Sequence, residues 1–335
     1  MFTVQLALSR AFKALIAFSL VFTFSPARAA PVKIGVVYDA GGRGDHSYDD
    51  AAAAGVDSIR KSLKLDQFAL REVVALSDDF DKENRIEFLI KAGYNIVICI
   101  GPNFSTAVKY MAEKYPESQF SIIGSKSVDS VNVASIAFNN NEEAFLAGAF
   151  AAGSSKTLRV GYITSNSNIY KESDFTNFTA GVNYINPKVK VFTKATTLNS
   201  NIDSQAMISA GVDVIYSTWN HDAQVLNQII SANKAKKSIK YIGKSPDQYF
   251  LSKNPAIVAI VNDRYDLAVK EIVSASVSGK TLTDVINETN GVYGKLLGLK
   301  SKGFDFIVKV SNPNGASALA KAKSGLLANQ IKLVD

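Results

Sequence analysis

Short apolar runs alternate with segments whose apolar residues recur at helical spacing along almost the whole chain. The runs Val32–Tyr38, Phe68–Val74, Ile96–Ile100, Phe120–Ile123 and Val131–Phe138 predict strands. So do Arg159–Ile163, Lys190–Lys194, Val214–Ser217, Lys240–Gly243 and Ile257–Val261, with a late strand in Gly303–Val310. Between them, Ala51–Leu63, Asp81–Ala92, Ser105–Tyr115, Glu142–Ser154, Phe175–Asn186, Ser204–Ala210 and Ala223–Ala232 predict helices. Leu267–Ser278 and Ala316–Leu327 predict two more. Regular alternation of strand and helix predicts an α/β fold of parallel sheets with helices on both faces. The strand runs are continuously apolar rather than alternating, as expected when both faces are covered. The series divides near residues 139–142 into two similar sets, which predicts two doubly wound lobes.

The first 29 residues stand outside this pattern. Arg10 and Lys13 precede the apolar run Ala14–Phe24, and Ala27-Arg28-Ala29 places small residues at a cleavage site, so residues 1–29 read as a signal peptide. The run is short for a membrane span, and a retained anchor is the alternative. No cysteine lies near the cleavage site, so the expected product is a soluble periplasmic protein and not a lipoprotein.

Charge and composition narrow the function further. Loss of the three cations Arg10, Lys13 and Arg28 lowers the formal charge from +7 to +4, and the lysines are dispersed. A nucleic-acid binder needs a basic stripe and a reading module, and neither is visible. Cys99 is the single cysteine and excludes internal disulfides. His46 and His221 are the only histidines and are far apart, with no cluster of metal-ligand spacing. Nucleophile elbow, Walker and dinucleotide motifs are missing as well, so neither catalysis nor a cofactor is expected.

The densest chemistry lies in residues 33–50. Here a buried strand breaks into Gly41-Gly42-Arg43-Gly44, surrounded by Asp39, Asp45 and Asp49, before an alanine-rich helix. Ligands of open α/β sheets sit at such strand ends. Carboxylates there accept hydrogen bonds and repel phosphate, which suits a polyhydroxylated or cationic ligand. Tyr48 adds a face for stacking. Asp39 is either a ligand acceptor or a turn and cap residue, whereas Asp45 and Ser47 are expected to hold the loop and cap the helix.

Asp39, Gly41, Gly42, Asp45 and Ser47, with Tyr48 for Phe and Asp49 for Asn, resemble the D-x-G-G-x-x-D-x-S-F-N motif of the basic membrane protein family, which includes purine-nucleoside receptors. Ile100-Gly101-Pro102-Asn103-Phe104 with Tyr115-Pro116-Glu117-Ser118-Gln119-Phe120 is similar to its next segment. Phe138 to Gly148 is similar to its F-x-x-x-E-x-x-F-L-A-G helix, and Phe178 to Val182 echoes F-x-A-G-V. Gly211 to Tyr216, and Ile242-Gly243 with Asp247-Gln248, complete the series.

The resemblance implies a type I periplasmic binding protein with a ligand cleft between lobes that close on a hinge. The implied division places residues 30–140 and about 264–300 in the N-terminal lobe, and residues 141–263 and about 301–335 in the C-terminal lobe. It also implies a monomer that captures a small polar aromatic ligand, nucleoside or nucleobase-like, for a membrane ABC permease. A sugar-like ligand in the same cleft and a ligand sensor that signals to a membrane receptor are the alternatives.

In nucleoside-binding members aromatics sandwich the base, and acids and a lysine hold the ribose. Tyr48 and Asp39 match the first aromatic and the first acid. Several other positions depart from the pattern: Gly124 replaces an acid, Ser245 replaces the first Asp of G-V-D-S-D-Q, and the lysine falls at Asn262 or Asp263. Trp219, the single tryptophan, is either a ligand partner opposite Tyr48 or a core or rim residue. Asn103, Asn220 and Asp222 at strand ends, Asn262 near the hinge, Ser245, and Phe175 near the second aromatic position complete the expected contacts, and Arg264 is expected to pair with a nearby acid.

Overall fold

The computed structural model describes residues 32–45, 47–165, 172–196, 204–218, 223–244, 254–282 and 294–334. The signal-peptide segment, His46, Trp219, Asn220, His221, Asp222 and Ser245 lie outside the described residues.

Two six-stranded sheets carry the α/β fold. The first contains β1 (Ile34–Tyr38), β2 (Leu70–Val74), β3 (Ile96–Ile100), β4 (Gln119–Ile123), β5 (Val133–Phe138) and β11 (Gly294–Leu297), in the order β11-β5-β4-β3-β1-β2. All its pairings are parallel. The second contains β6 (Arg159–Ser165), β7 (Lys190–Thr196), β8 (Val214–Ser217), β9 (Lys240–Gly243), β10 (Ile257–Asp263) and β12 (Phe304–Val308), in the order β12-β10-β9-β8-β6-β7. Its pairings are parallel, as expected, except that the edge strand β12 runs antiparallel to β10. Strand β11 was not foreseen. Its four residues, Gly-Lys-Leu-Leu, carry too little pattern to separate them from a loop, and pairing with β5 makes the strand.

The continuous apolar strands serve two cores at once. In β3, Ile96, Ile98 and Ile100 enter one core with helices α1 (Tyr48–Leu63) and α8 (Tyr265–Val277). Val97 and Cys99 enter the other, with α2 (Asp79–Lys91) and α3 (Ser105–Lys114). The side-chain period of two in a strand produces this division. The second sheet is covered in the same way. On one side lie α4 (Asn140–Ser154), α5 (Glu172–Ile185) and α9 (Pro313–Leu327). On the other lie α6 (Gln205–Ser209) and α7 (Ala223–Lys234).

The chain passes between the sheets after β5, after β10 and after β11, and the three passages are hydrogen-bonded to one another. Asn139 N donates to Leu297 O (2.9 Å), and Arg264 N donates to Gly303 O (2.8 Å). Leu299 N donates to Glu142 Oε2 (2.6 Å). Parallel strands bring their C-terminal ends to one sheet edge, so Asp39, Gly101, Gly124 and Asn139, which follow β1, β3, β4 and β5, emerge together.

Candidate functional site

The loop after β1 is built to hold carboxylates. Gly42 N donates to Asp39 O (3.0 Å) and closes the turn. Arg43 bridges Asp57 and Glu72, which ties the loop to helix α1 and strand β2. Asp45 Oδ1 accepts from Ser47 N (2.8 Å) and Asp50 N (3.3 Å), so Asp45 organises the entry to α1 as expected. Ser47 occupies the cap position without a side-chain cap bond, because Asp45 already serves these amides.

Asp39 is the centre of the site. Its Oδ2 accepts from Tyr48 Oη (2.9 Å) and Asn103 Nδ2 (2.7 Å), and its Oδ1 accepts from Ala40 N (2.9 Å). Three donors leave room for one more, since a carboxylate offers about four acceptor positions. Burial and the adjacent Asp39 push the Tyr48 hydroxyl well above its usual range, so it stays a donor. Asn103 is delivered by the short 3-10 turn Pro102–Phe104. That turn is held from beneath by the buried Lys82, whose Nζ donates to Asn103 O (3.1 Å) and Ser77 O (3.0 Å). Asp39, Tyr48 and Asn103, 64 residues apart at their extremes, thus form one hydrogen-bonded group.

Tyr48 has a neighbour that the sequence reading missed. Its ring stacks on Tyr265, with centroids 5.4 Å apart and planes at 23°. Tyr265 in turn packs on Phe138 at 4.7 Å. Tyr265 opens the helix that follows the second passage between sheets, and an aromatic between Arg264 and Asp266 was the available signal. Arg264 pairs with Asp266 (2.8 Å) and Asp305 (3.1 Å), which meets the expectation of an acidic partner.

Asp49 lies beside this group. One oxygen accepts from Gly42 N (3.1 Å) and the other is buried without a partner among the described residues. Burial, with Asp45 and Asp39 nearby, pushes its carboxyl up to about 9.

In the second sheet the strand ends present aromatics and a charged cluster. Phe175 is half-buried and packs on Tyr162 at 5.7 Å. Tyr162 contacts Phe178 and Tyr216 in the same aromatic group. Asn262 is half-buried on β10 and lies opposite Asp305 of β12 in the register. Lys244, directly after β9, directs Nζ to Asn140 Oδ1 (2.7 Å), Glu143 Oε2 (2.7 Å) and Asp263 Oδ2 (3.4 Å). The sequence reading assigned no role to Lys244 or Glu143. A lysine directly after an apolar strand and a second glutamate in the first turn of α4 were the signals.

A hollow of ≈ 810 Å³ lies elsewhere, at the opposite ends of β9 and β10, lined by Lys156, Lys234, Lys240, Asn254 and Asn312 among others. It includes none of Asp39, Tyr48, Asn103 or Lys244 and belongs to a different part of the surface. Among the described residues no helix is long and apolar enough to cross a membrane.

Comparison with known proteins agrees with this architecture. A family profile described as "ABC transporter substrate-binding protein PnrA-like" matches residues 32–324. The ABC transporter nucleoside-binding protein BmpA of Lactococcus lactis subsp. cremoris is 26% identical over 324 residues, covering 90% of this chain and 88% of the relative. Basic membrane protein A of Borreliella afzelii is 29% identical over 242 residues, covering 69% and 71%. Among solved structures, an ABC transporter solute-binding protein from Aeropyrum pernix K1 superposes with a TM-score of 0.71 at 20% identity, covering 91% of this chain and 93% of that one. That likeness establishes the fold, which is that of periplasmic binding proteins.

Proposed function

Because the chain belongs to the PnrA-like family of ABC transporter substrate-binding proteins, we propose that it captures a nucleoside or nucleobase-like ligand in a cleft between the C-terminal edges of its two sheets. It then hands that ligand to a membrane permease. In this reading the protein is exported by residues 1–29, works as a soluble periplasmic monomer without catalysis, and closes when both lobes grip the ligand. Residues up to 140 with about 264–300 form one lobe, and the remainder of the mature chain forms the other.

The observation that carries the proposal is the group of Asp39, Tyr48 and Asn103 at one strand edge. A carboxylate with an acceptor position left, beside a ring and an amide, suits the N–H edge of a base, through a charge-assisted hydrogen bond. The Lactococcus relative, a nucleoside-binding protein by name and aligned over most of both chains, supports the same ligand class. Phe175, Asn262 and, outside the described residues, Trp219, Asn220, Asp222 and Ser245 are the proposed contacts from the other side. A ligand that touches only one lobe would bind without favouring closure, because a ligand shifts an equilibrium only by its differential affinity.

The test is mass spectrometry of compounds released by unfolding the purified protein, followed by calorimetric titration of the refolded protein with inosine, adenosine, guanosine and their bases. Recovery of a nucleoside or base, with saturable heat on titration, is the expected result. Recovery of an unrelated compound, with no heat from any of these probes, would remove the nucleoside reading.

A further inference from the structure

We propose that Glu143 and Asp263 share a single proton and, together with Lys244, form a proton-dependent clasp on the passage between β10 and α8. The clasp is independent of the identity of the ligand.

The geometry sets up the problem that the proton solves. Glu143 stands in the first turn of α4, just after the passage from β5, and Asp263 is the last residue of β10, just before the passage into α8. Lys244 joins them from the end of β9, and its side chain is only 8% exposed. Glu143 is completely buried. Each acid gives one oxygen to the ammonium group, at 2.7 Å from Glu143 and 3.4 Å from Asp263. The remaining oxygens, Glu143 Oε1 and Asp263 Oδ1, are both buried and have no donor among the described residues. The two carboxyl groups lie within hydrogen-bonding reach of each other. Two such acceptors without a hydrogen between them repel, and a low-dielectric setting strengthens that repulsion. One proton placed between them turns the same two atoms into a donor and an acceptor. It also brings the cluster from a formal −1 to neutrality.

Among the described residues, the charged and titratable groups around the cluster are engaged elsewhere or add to its negative charge. Tyr216 of β8 and Tyr162 of β6 face the cluster as neutral phenols, held up chiefly by burial. Asp174 of α5 lies near both tyrosines and adds negative potential. On α4 itself, Glu142 accepts from Leu299 N. Helix α9, packed on α4, directs Lys321 to the Tyr184 ring, and its Lys323 is near Asp305. Arg264 is engaged by Asp266 and Asp305. Burial, followed by the charge of Asp263, holds the Glu143 carboxyl above the usual range, outweighing Lys244.

The sign of the pH dependence follows. The unfolded chain releases this proton in the ordinary carboxylate range and the folded chain keeps it to higher pH. Stability therefore falls as pH rises between the two. Above the folded transition two carboxylates oppose one ammonium, and the clasp loosens.

The experiment is infrared spectroscopy of ligand-free wild type, Glu143→Gln and Asp263→Asn at neutral pH, read in the carbonyl band of protonated carboxylic acids. Wild type should exceed each variant by one carboxyl, and the fall of melting temperature with pH should be shallower in both variants. Asp49 contributes equally to all three proteins and cancels. Equal bands in wild type and both variants would overturn the proposal. So would an Asp263→Asn protein that keeps the band, because the proton would then belong to Glu143 alone. If a variant does not fold, carbon-13 carboxyl titration of wild type decides. Coupled movement of the Glu143 and Asp263 resonances is expected, and independent transitions in the ordinary carboxylate range would overturn the sharing.

Discussion

The hydroxyl of Tyr265 lies 2.6 Å from where a side-chain carbon on Gly124 would stand. Gly124 also has φ +111°, a backbone conformation that residues with a side chain rarely adopt. The space that a side chain at position 124 would need is thus occupied from helix α8. Gly124→Asp should therefore destabilise the fold rather than restore a ribose contact, by about 1–3 kcal/mol from backbone strain alone. Adding Tyr265→Phe, which removes the clashing hydroxyl and keeps the ring against Tyr48 and Phe138, should recover much of the steric part and leave the strain. Urea denaturation of the single and double variants checks both statements.

Tyr48→Phe keeps the ring against Tyr265 and removes the hydrogen bond to Asp39. The expected loss of stability is about 1.5–3 kcal/mol, the range for a hydrogen bond to a charged group. Binding of an aromatic ligand should weaken less than in Tyr48→Ala, which also removes the ring. Calorimetric titration of the two variants with the compound recovered from the wild type separates the contributions. Equal losses would show that the ring carries none of the affinity.

Asp49 gives a pH-dependent prediction of definite sign. Its folded value of about 9 lies above the unfolded carboxylate value. The folded state therefore holds a proton that the unfolded state has released, and stability falls as pH rises through that interval. The slope for one proton is at most about 1.4 kcal/mol per pH unit. Asp49→Asn keeps an acceptor for Gly42 N and supplies a donor for the orphaned oxygen's position. The variant should gain on wild type steadily from pH 6 to pH 8.5 in chemical denaturation. Parallel curves for the two proteins across that range would refute the assignment.

Helices α4 and α5 meet backbone to backbone. A side-chain carbon on Gly148 would overlap Phe178 O, and one on Gly181 would overlap Phe145 O. The two contacts are reciprocal, so neither helix has a flexible group to move aside. Gly148→Ala and Gly181→Ala should each cost about 1–3 kcal/mol, the usual range for overpacking. The double variant should fall short of the sum, since one separation of the helices relieves both clashes. Melting temperatures of the three variants measure this.

Along the chain, apolar runs of strand length between helical repeats determined the α/β class and nearly every element. Burial on both faces makes each strand continuously apolar, and this signal is local. The unbroken run through Cys99 is one example, with its even and odd residues sent to two different cores. The acids and the ring of the 39–50 loop were legible for the same reason, since they follow one strand and open one helix. Position 124 could be read from the chain only as a missing acid, and the glycines of Phe145 to Gly148 and Phe178 to Gly181 only as motif letters. Their meaning depends on Tyr265 and on two helix backbones many residues away. Tertiary structure alone decided that Asn103 would reach Asp39, that β12 would run antiparallel, and that Lys244 would lie between Glu143 and Asp263. Each of these joins residues whose separation in sequence carries no periodic signal. The energy that brings them together comes from packing and charge pairing, which do not exist until the sheets have formed.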